Sequence, residues 1–284
     1  MGAALSHRRD GRRRRRRGAL SMCRLFGMSA GAKPARATFW LLDAPDSLAT
    51  QSHREPDGTG LGWFDPEETP RISKQPIAAF QDEEFARRAR EVRSSTFLAH
   101  VRFATTGAHN PLNTHPFEQH GRLFAHNGVL GDLPALEAHL GDDRALVKGD
   151  TDSERYFALI TREIAARHGD VAGGIEAACT WVAANLEIVA INFVLATPEG
   201  LWAFRYPQKD ELHILERPAG KPLEHNSHLG TRVHCQEAVE RPLVVVASEP
   251  MDDDPAWRAL AAGELIQITH TLEVNSSRIL ADPA

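Results

Sequence analysis

The order of patterned segments along the chain predicts an α+β fold, in which sheets pack against segregated helices. Three observations carry this. Strand-like segments dominate up to about residue 130, two adjacent helical segments fill most of 152–186, and the chain then returns to strands until about residue 270. Hydrophobic residues make up 42% of the 284, which is enough to build a sizeable core. No run approaches the ~18 to 20 apolar residues of a membrane span, and no apolar h-region follows the basic N-terminus as a secretory signal requires. Without an internal repeat or a linker, residues 22–284 are expected to form a single domain.

Taken in order, the apolar segment Arg24 to Ala30 predicts a buried strand, and a helical stretch follows around Ala35 to Leu42. His53 to Phe64 is dense in glycine and then strand-like, which suggests a backbone that approaches something closely before it joins a sheet. Arg71 to Pro76 reads as a strand, Asp82 to Arg93 as a charged helix, and Thr96 to Ala104 as a central strand. A loop rich in Gly, Asn, Pro and His spans Thr105 to His120. Arg122 to Val129 is a strand ending in Asn127-Gly128, and Leu133 to Leu140 a short helix. Thr151-Asp152-Ser153-Glu154 is a capping box, and the helix it opens sets Tyr156, Phe157, Ile160 and Ile164 at helical spacing. A second helix is expected from about Ile175 to Leu186. Strands follow at Ile188 to Thr197, Leu201 to Tyr206, Glu211 to Arg217, Leu243 to Ser248 and Glu264 to His270, with Pro198-Glu199-Gly200 joining the first two as a hairpin.

The net charge of −5 hides an asymmetry. Residues 1–21 hold eight arginines against one acid, Asp10, so the remainder carries −12. An acidic body offers no footprint for nucleic acid, and neither nucleic acid nor membrane is expected as a partner. For the first 21 residues several readings stand side by side: a basic arm, a lipid anchor suggested by Met1-Gly2-Ala3-Ala4-Leu5-Ser6, a propeptide, or a disordered tail ahead of a start at Met22. Gly, Ala, Ser and Arg without apolar periodicity form no packed element, which favours the last. Three widely spaced cysteines, Cys23, Cys179 and Cys235, argue against a disulfide framework and fit a reducing, cytoplasmic setting.

Cys23 directly follows Met22, so removal of that methionine would give it a free α-amine able to act as general base for its own thiol. Arg102 ends an apolar strand, where a guanidinium can grip a carboxylate or form an ordinary surface ion pair. Asn127-Gly128 combines a side-chain amide with a backbone that permits close approach, suited to an oxyanion hole or to a plain turn. Asp152 lies in the first turn of a helix, where a carboxylate serves as a ligand or simply as a cap.

Together, Met22-Cys23 with its strand, His100 to Gly107, Asn113-Thr114-His115-Pro116, His126-Asn127-Gly128 and Thr151 to Glu154 resemble the class II glutamine amidotransferase domain, an N-terminal-nucleophile hydrolase. The resemblance spans Met22 to about His270, and the opening Cys-Arg-Leu-Phe-Gly-Met-Ser-Ala is most similar to stand-alone bacterial members. It implies a four-layer αββα sandwich. It further implies that Cys23 is the nucleophile, Asn127 and Gly128 the oxyanion hole, Arg102 the binder of the substrate α-carboxylate and Asp152 of its α-ammonium, with Thr105 and Gly107 lining the pocket. The implied substrate is glutamine or another γ-glutamyl small molecule, with a synthase partner or ammonia acceptor as a further possibility. No cofactor or metal is expected. Phe103 stands where many relatives have Trp, Thr106 where they have His, and Glu55 replaces the glycine of an Arg-Gly-Pro-Asp-Gly pattern.

Two alternatives remain open. Val244 to Pro250 followed by Asp252-Asp253-Asp254 resembles the ergothioneine-pathway γ-glutamyl hydrolases, and the chain could instead be a non-catalytic glutamine-binding subunit. His225, His228, His234 and Cys235 follow no zinc-finger spacing. Cys179 reads as core, and the Asp triplet as a solvated turn.

Overall fold

The computed structural model describes residues 23–103, 108–220 and 241–282, and the backbone alone of 224–226 and 232–234. The strands are β1 (Arg24–Ser29), β2 (Gly58–Phe64), β3 (Pro70–Gln75), β4 (Thr96–Arg102), β5 (Phe117–Gln119), β6 (Arg122–Leu130), β7 (Ile188–Thr197) and β8 (Gly200–Arg205). After them come β9 (His213–Arg217), β10 (Glu224–Asn226), β11 (Arg232–His234), β12 (Leu243–Ala247), β13 (Arg258–Ala259), β14 (Glu264–Thr269) and β15 (Val274–Arg278). The helices are α1 (Leu48–Gln51), α2 (Glu83–Glu91), α3 (Leu133–Leu140), α4 (Asp152–Ala166) and α5 (Val171–Asn185).

Two large antiparallel sheets result, in the orders β13-β9-β12-β1-β4-β2-β3 and β15-β14-β8-β7-β6-β5, while β10 pairs with β11. Because side chains alternate across a strand, each sheet presents two apolar faces, and three separate cores follow. Leu25, Leu98, Leu123, Ala125, Val194 and Val246 fill the space between the sheets. Phe26, Met28, Phe97 and Val245 face Trp40, Leu48 and Phe85 of the α1–α2 layer. Phe124, Phe193, Leu195 and Phe204 face Tyr156, Ile160, Ile175 and Val182 of α4 and α5. This is the expected αββα sandwich.

Most elements fall within a residue or two of expectation. The differences have local causes. α5 begins four residues earlier than expected, at Val171, with Asp170 as its cap accepting from Gly173 N. Its Gly173-Gly174 pair is poor helix sequence, yet a Cβ at Gly174 would lie 2.5 Å from Ile164 Cγ1, so glycine is what lets α5 cross α4 closely. The three-residue β5 and the polar β15, Val-Asn-Ser-Ser-Arg, are edge strands that carry too little pattern to be read from sequence.

Candidate active site

β1 is a central strand, paired with β12 on one side and β4 on the other. Cys23 sits immediately before it. Arg24 lies opposite Val101, which brings Cys23 beside the end of β4. There Phe103 N donates to Cys23 Sγ at 3.2 Å, and Sγ lies 3.4 Å from Phe103 O. Burial pushes the Cys23 thiol up to about 11. The Phe103 N–H and the Arg102 charge oppose that rise, and the Glu55 carboxylate adds to it. A thiol in this state needs a base before it can act as a nucleophile.

Arg102, the last residue of β4, is 4% exposed rather than a surface ion-pairing group. Its Nη1 donates to Ala108 O at 3.4 Å. From the opposite sheet, Asn127 Nδ2 donates to Cys23 O at 2.8 Å. Gly128 follows at φ 157°, and a Cβ there would lie 1.8 Å from Ala190 O, so only glycine fits between β6 and β7. Asp152 is the first residue of α4, but the cap is Thr151, whose hydroxyl accepts from Glu154 N. The Asp152 carboxylate instead reaches back to the end of β6, accepting from Leu130 N at 2.9 Å, and also accepts from Ser153 N at 2.9 Å. Glu154 does not close the box on Thr151; it accepts from Gly149 N at 2.6 Å. Segments far apart in sequence thus bring Cys23, Arg102, Asn127 and Gly128 to one end of the sandwich, with Asp152 fastened to the strand that carries Asn127.

The glycine-rich segment explains itself at this end. Gly58, Gly60 and Gly62 alternate along β2 and share one face. A Cβ at Gly60 would lie 1.9 Å from His115 O, one at Gly62 3.1 Å from Pro116 Cγ, and one at Gly58 3.3 Å from Thr114. The close approach expected there is therefore to residues 114–116. His115 in turn packs at a tilt against His100, centroids 4.2 Å apart, and against Phe117 at 4.6 Å. Burial holds His100 down at about 3 and His115 well below the usual imidazole range, so both are neutral. His126 is lowered too, by burial, against the opposing charge of Asp152.

Sequence reasoning missed a charged network on the other face of β1. Arg24 Nε bonds Glu249 Oε1 at 2.9 Å and its Nη2 lies 3.6 Å from the buried Glu55; Arg54 bonds the same Glu249 oxygen at 2.6 Å. Ser248 Oγ accepts from Leu25 N at 2.9 Å. The signal was present in the Glu55 substitution and in Ser248-Glu249-Pro250.

Thr105 and Gly107 lie outside the described residues, as do the side chains of His225, His228, His234 and Cys235. Among the described residues no group of His, Cys, Asp or Glu is arranged to hold a metal, and no helix is long and apolar enough to cross a membrane. Cys179 is core, its Sγ 3.0 Å from Tyr156 Oη. Asp252 accepts from Trp257 Nε1 at 2.7 Å and Asp254 N at 3.2 Å, which makes the triplet a braced turn.

Residues 22–279 match the family model for class II glutamine amidotransferases. An uncharacterized protein of Methanocaldococcus jannaschii is 27% identical over 276 residues, covering 92% of this chain and 73% of that one. The gamma-glutamyl-hercynylcysteine sulfoxide hydrolase of Mycolicibacterium smegmatis is 30% identical over 244 residues, covering 80% and 88%. Among solved structures, glutamine phosphoribosylpyrophosphate amidotransferase from B. subtilis superposes with a TM-score of 0.64 at 20% identity. That match covers 92% of this chain and 50% of the other, so this chain spans half the length of that enzyme.

Proposed function

The chain belongs to the class II glutamine amidotransferases, and from that premise we propose that it cleaves the γ-glutamyl amide of glutamine or a related compound through a Cys23 thioester. One observation carries this reading: Phe103 N on Cys23 Sγ and Asn127 Nδ2 on Cys23 O join the nucleophile to Arg102 on one side and to the Asn127-Gly128 pair on the other.

With Cys23 N-terminal, its α-amine takes the thiol proton and the thiolate attacks the γ-carbonyl carbon. One N–H of the Asn127 amide is used on Cys23 O, and the second, with Gly128 N–H, receives the oxyanion. Collapse breaks the C–N bond, and the α-ammonium returns its proton to the departing nitrogen, leaving a thioester. Water, deprotonated by the same amine, then releases the glutamyl acid and the free thiol. Arg102 holds the substrate α-carboxylate and Asp152 its α-ammonium. The free end of the glutamyl group is thereby recognised, and the reacting carbon is fixed against Sγ. This mechanism requires that the working chain begin at Cys23, by initiation at Met22 and loss of that methionine or by removal of all that precedes Cys23, with the remainder of the 22–284 unit acting as one domain.

A second reading concerns the group attached to the γ-carbonyl. The Ser248-Glu249 segment, bonded to β1 through Leu25 N and Arg24, lies beside the nucleophile strand. With the Mycolicibacterium relative named above, this supports a dedicated hydrolase of larger γ-glutamyl conjugates. The test of both is mass spectrometry of the native N-terminus, followed by glutamate release from glutamine and from γ-glutamyl conjugates, with Cys23→Ala as control. An N-terminal Cys23 with no turnover and no adduct with a diazoketone analogue of glutamine would sink the enzyme reading in favour of a glutamine-binding subunit.

A further inference from the structure

Lys74 lies on the edge strand β3, opposite Gly60 of β2. Its ammonium points into the molecule. Nζ donates to Thr114 O at 2.7 Å and to Pro116 O at 3.1 Å, and stands 5.0 Å from the centroid of the Phe117 ring. The groups whose charges act on it are Glu154, which favours the ammonium, and Lys148, which opposes it; His115, neutral, is the near imidazole. Burial lowers Lys74 to about 8, so it remains mainly charged at neutral pH while largely removed from water. A buried ammonium fastened to two main-chain carbonyls is a costly arrangement for an edge strand, and it calls for a reason.

The two carbonyls flank His115, in the segment that lies on the glycine face of β2. From there a continuous set of bonds runs toward the site. Thr114 Oγ1 donates to Asn110 O at 2.9 Å, and Asn113 N to Asn110 Oδ1 at 3.0 Å. Asn113 Nδ2 donates to Ala108 O at 3.1 Å, the same carbonyl that accepts from Arg102 Nη1. The near end of this path is Lys74 and the far end is the guanidinium assigned to the substrate carboxylate.

We propose that Lys74 is a positioning residue for substrate recognition: its ammonium clamps residues 114–116 onto β2, and through Asn113 and Ala108 sets the orientation of Arg102. It touches neither substrate nor nucleophile. The proposal rests on Arg102 binding the α-carboxylate. Its signature is a loss of substrate binding without loss of chemistry, because a misaligned Arg102 weakens capture while Cys23, Asn127 and Gly128 remain in place.

The experiment uses the isolated chain with its N-terminus verified by mass spectrometry, and compares Lys74→Met, Lys74→Arg and Arg102→Lys. Lys74→Met is expected to raise KM for glutamine about tenfold with kcat within about twofold, and Lys74→Arg to restore most of the loss. Labelling of Cys23 by the diazoketone analogue should slow in step with KM, and labelling by iodoacetamide, which has no α-carboxylate, should not. Saturation of diazoketone labelling gives the binding constant even where turnover is slow. If Lys74→Met does not fold, Lys74→Gln makes the same comparison. A normal KM in the Lys74 variants beside a raised KM in Arg102→Lys overturns the proposal and leaves the Arg102 reading intact. If Arg102→Lys also leaves KM unchanged, it is the Arg102 assignment that fails. Equal slowing of both reagents with a lowered thermal midpoint, not rescued by arginine, would show a purely structural lysine and overturn the proposal.

Discussion

The side-chain amide of Asn127, on β6 of one sheet, donates to the main-chain carbonyl of Cys23 at the head of β1 in the other. The bond spans the two sheets at Cys23, the proposed nucleophile. It uses one N–H of the Asn127 amide and leaves the second for the oxyanion role proposed above. Asn127→Ala is therefore expected to lower kcat by about 10²- to 10³-fold while KM for glutamine changes little. Steady-state kinetics check this; a rise in KM alone would assign Asn127 to substrate binding.

The raised thiol of Cys23 predicts how the blocked protein behaves. In a chain with residues retained ahead of Cys23, iodoacetamide labelling should keep climbing with pH toward about 11. The midpoint near ~8.5 of an ordinary cysteine should be absent. Labelling followed by mass spectrometry reads the midpoint directly, and an ordinary midpoint would show a solvent-exposed thiol.

His100, His115 and His126 are all held below the imidazole value of 6.5 by burial. The unfolded chain takes up protons at these sites as pH falls through 6.5, while the folded chain resists until lower pH, for His100 until about 3. Stability is thus lost toward acid, by up to about 1.4 kcal/mol per pH unit for each histidine. Urea unfolding of wild type and His100→Asn between pH 7 and 4.5 should diverge by about that slope for one proton. Parallel curves would show that His100 is solvated.

Lys74 acts in the same sense in a higher pH window. Its folded value of about 8 lies below the ordinary 10.5, so burial of the ammonium opposes folding below pH 8, and the penalty is relieved as pH rises to 10.5. Relative to Lys74→Met, wild type should gain up to roughly 3 kcal/mol across that window. Chemical denaturation at pH 7.5 and 10 measures the difference, and a constant difference would place the ammonium in water.

Gly60→Ala would put a Cβ 1.9 Å from a main-chain oxygen, where no side-chain rotation brings relief. A cost of about 3 kcal/mol or more is expected, with disturbed substrate binding. Gly62→Ala, whose nearest neighbour is the Leu123 side chain at 3.0 Å, should cost less. Denaturation midpoints and KM for the two variants make the comparison.

The layers were legible because strand alternation and helical spacing state which faces are apolar: Leu25 and Leu98 turn to the space between the sheets, and Phe26 and Phe97 to the helices. The five ordered blocks pointed to Cys23, Arg102, Asn127, Gly128 and Asp152, the first four of which lie at one end of the sandwich, with Asp152 bonded to the end of β6. What escaped was set by tertiary contact. Gly173-Gly174 is poor helix sequence whose use shows only when Ile164 is seen against it. Lys74 reads as one more polar residue on a half-exposed strand, since nothing nearby in sequence announces that its ammonium meets Thr114 and Pro116 forty residues away. Asp152 looked like a cap because position in a helix is local, whereas its bond to Leu130 N is not.

The glycine face of β2 has a consequence for how this protein can vary. Elsewhere the sheets are held apart by side chains, which can be exchanged one against another; here, at Gly60, the filler is the main-chain carbonyl of His115, whose dimensions no substitution alters. The separation of β2 from residue 115 is therefore as fixed as the spacing between the sheets themselves. The contacts around Glu55 and Glu249, by contrast, are made by side chains and can be exchanged.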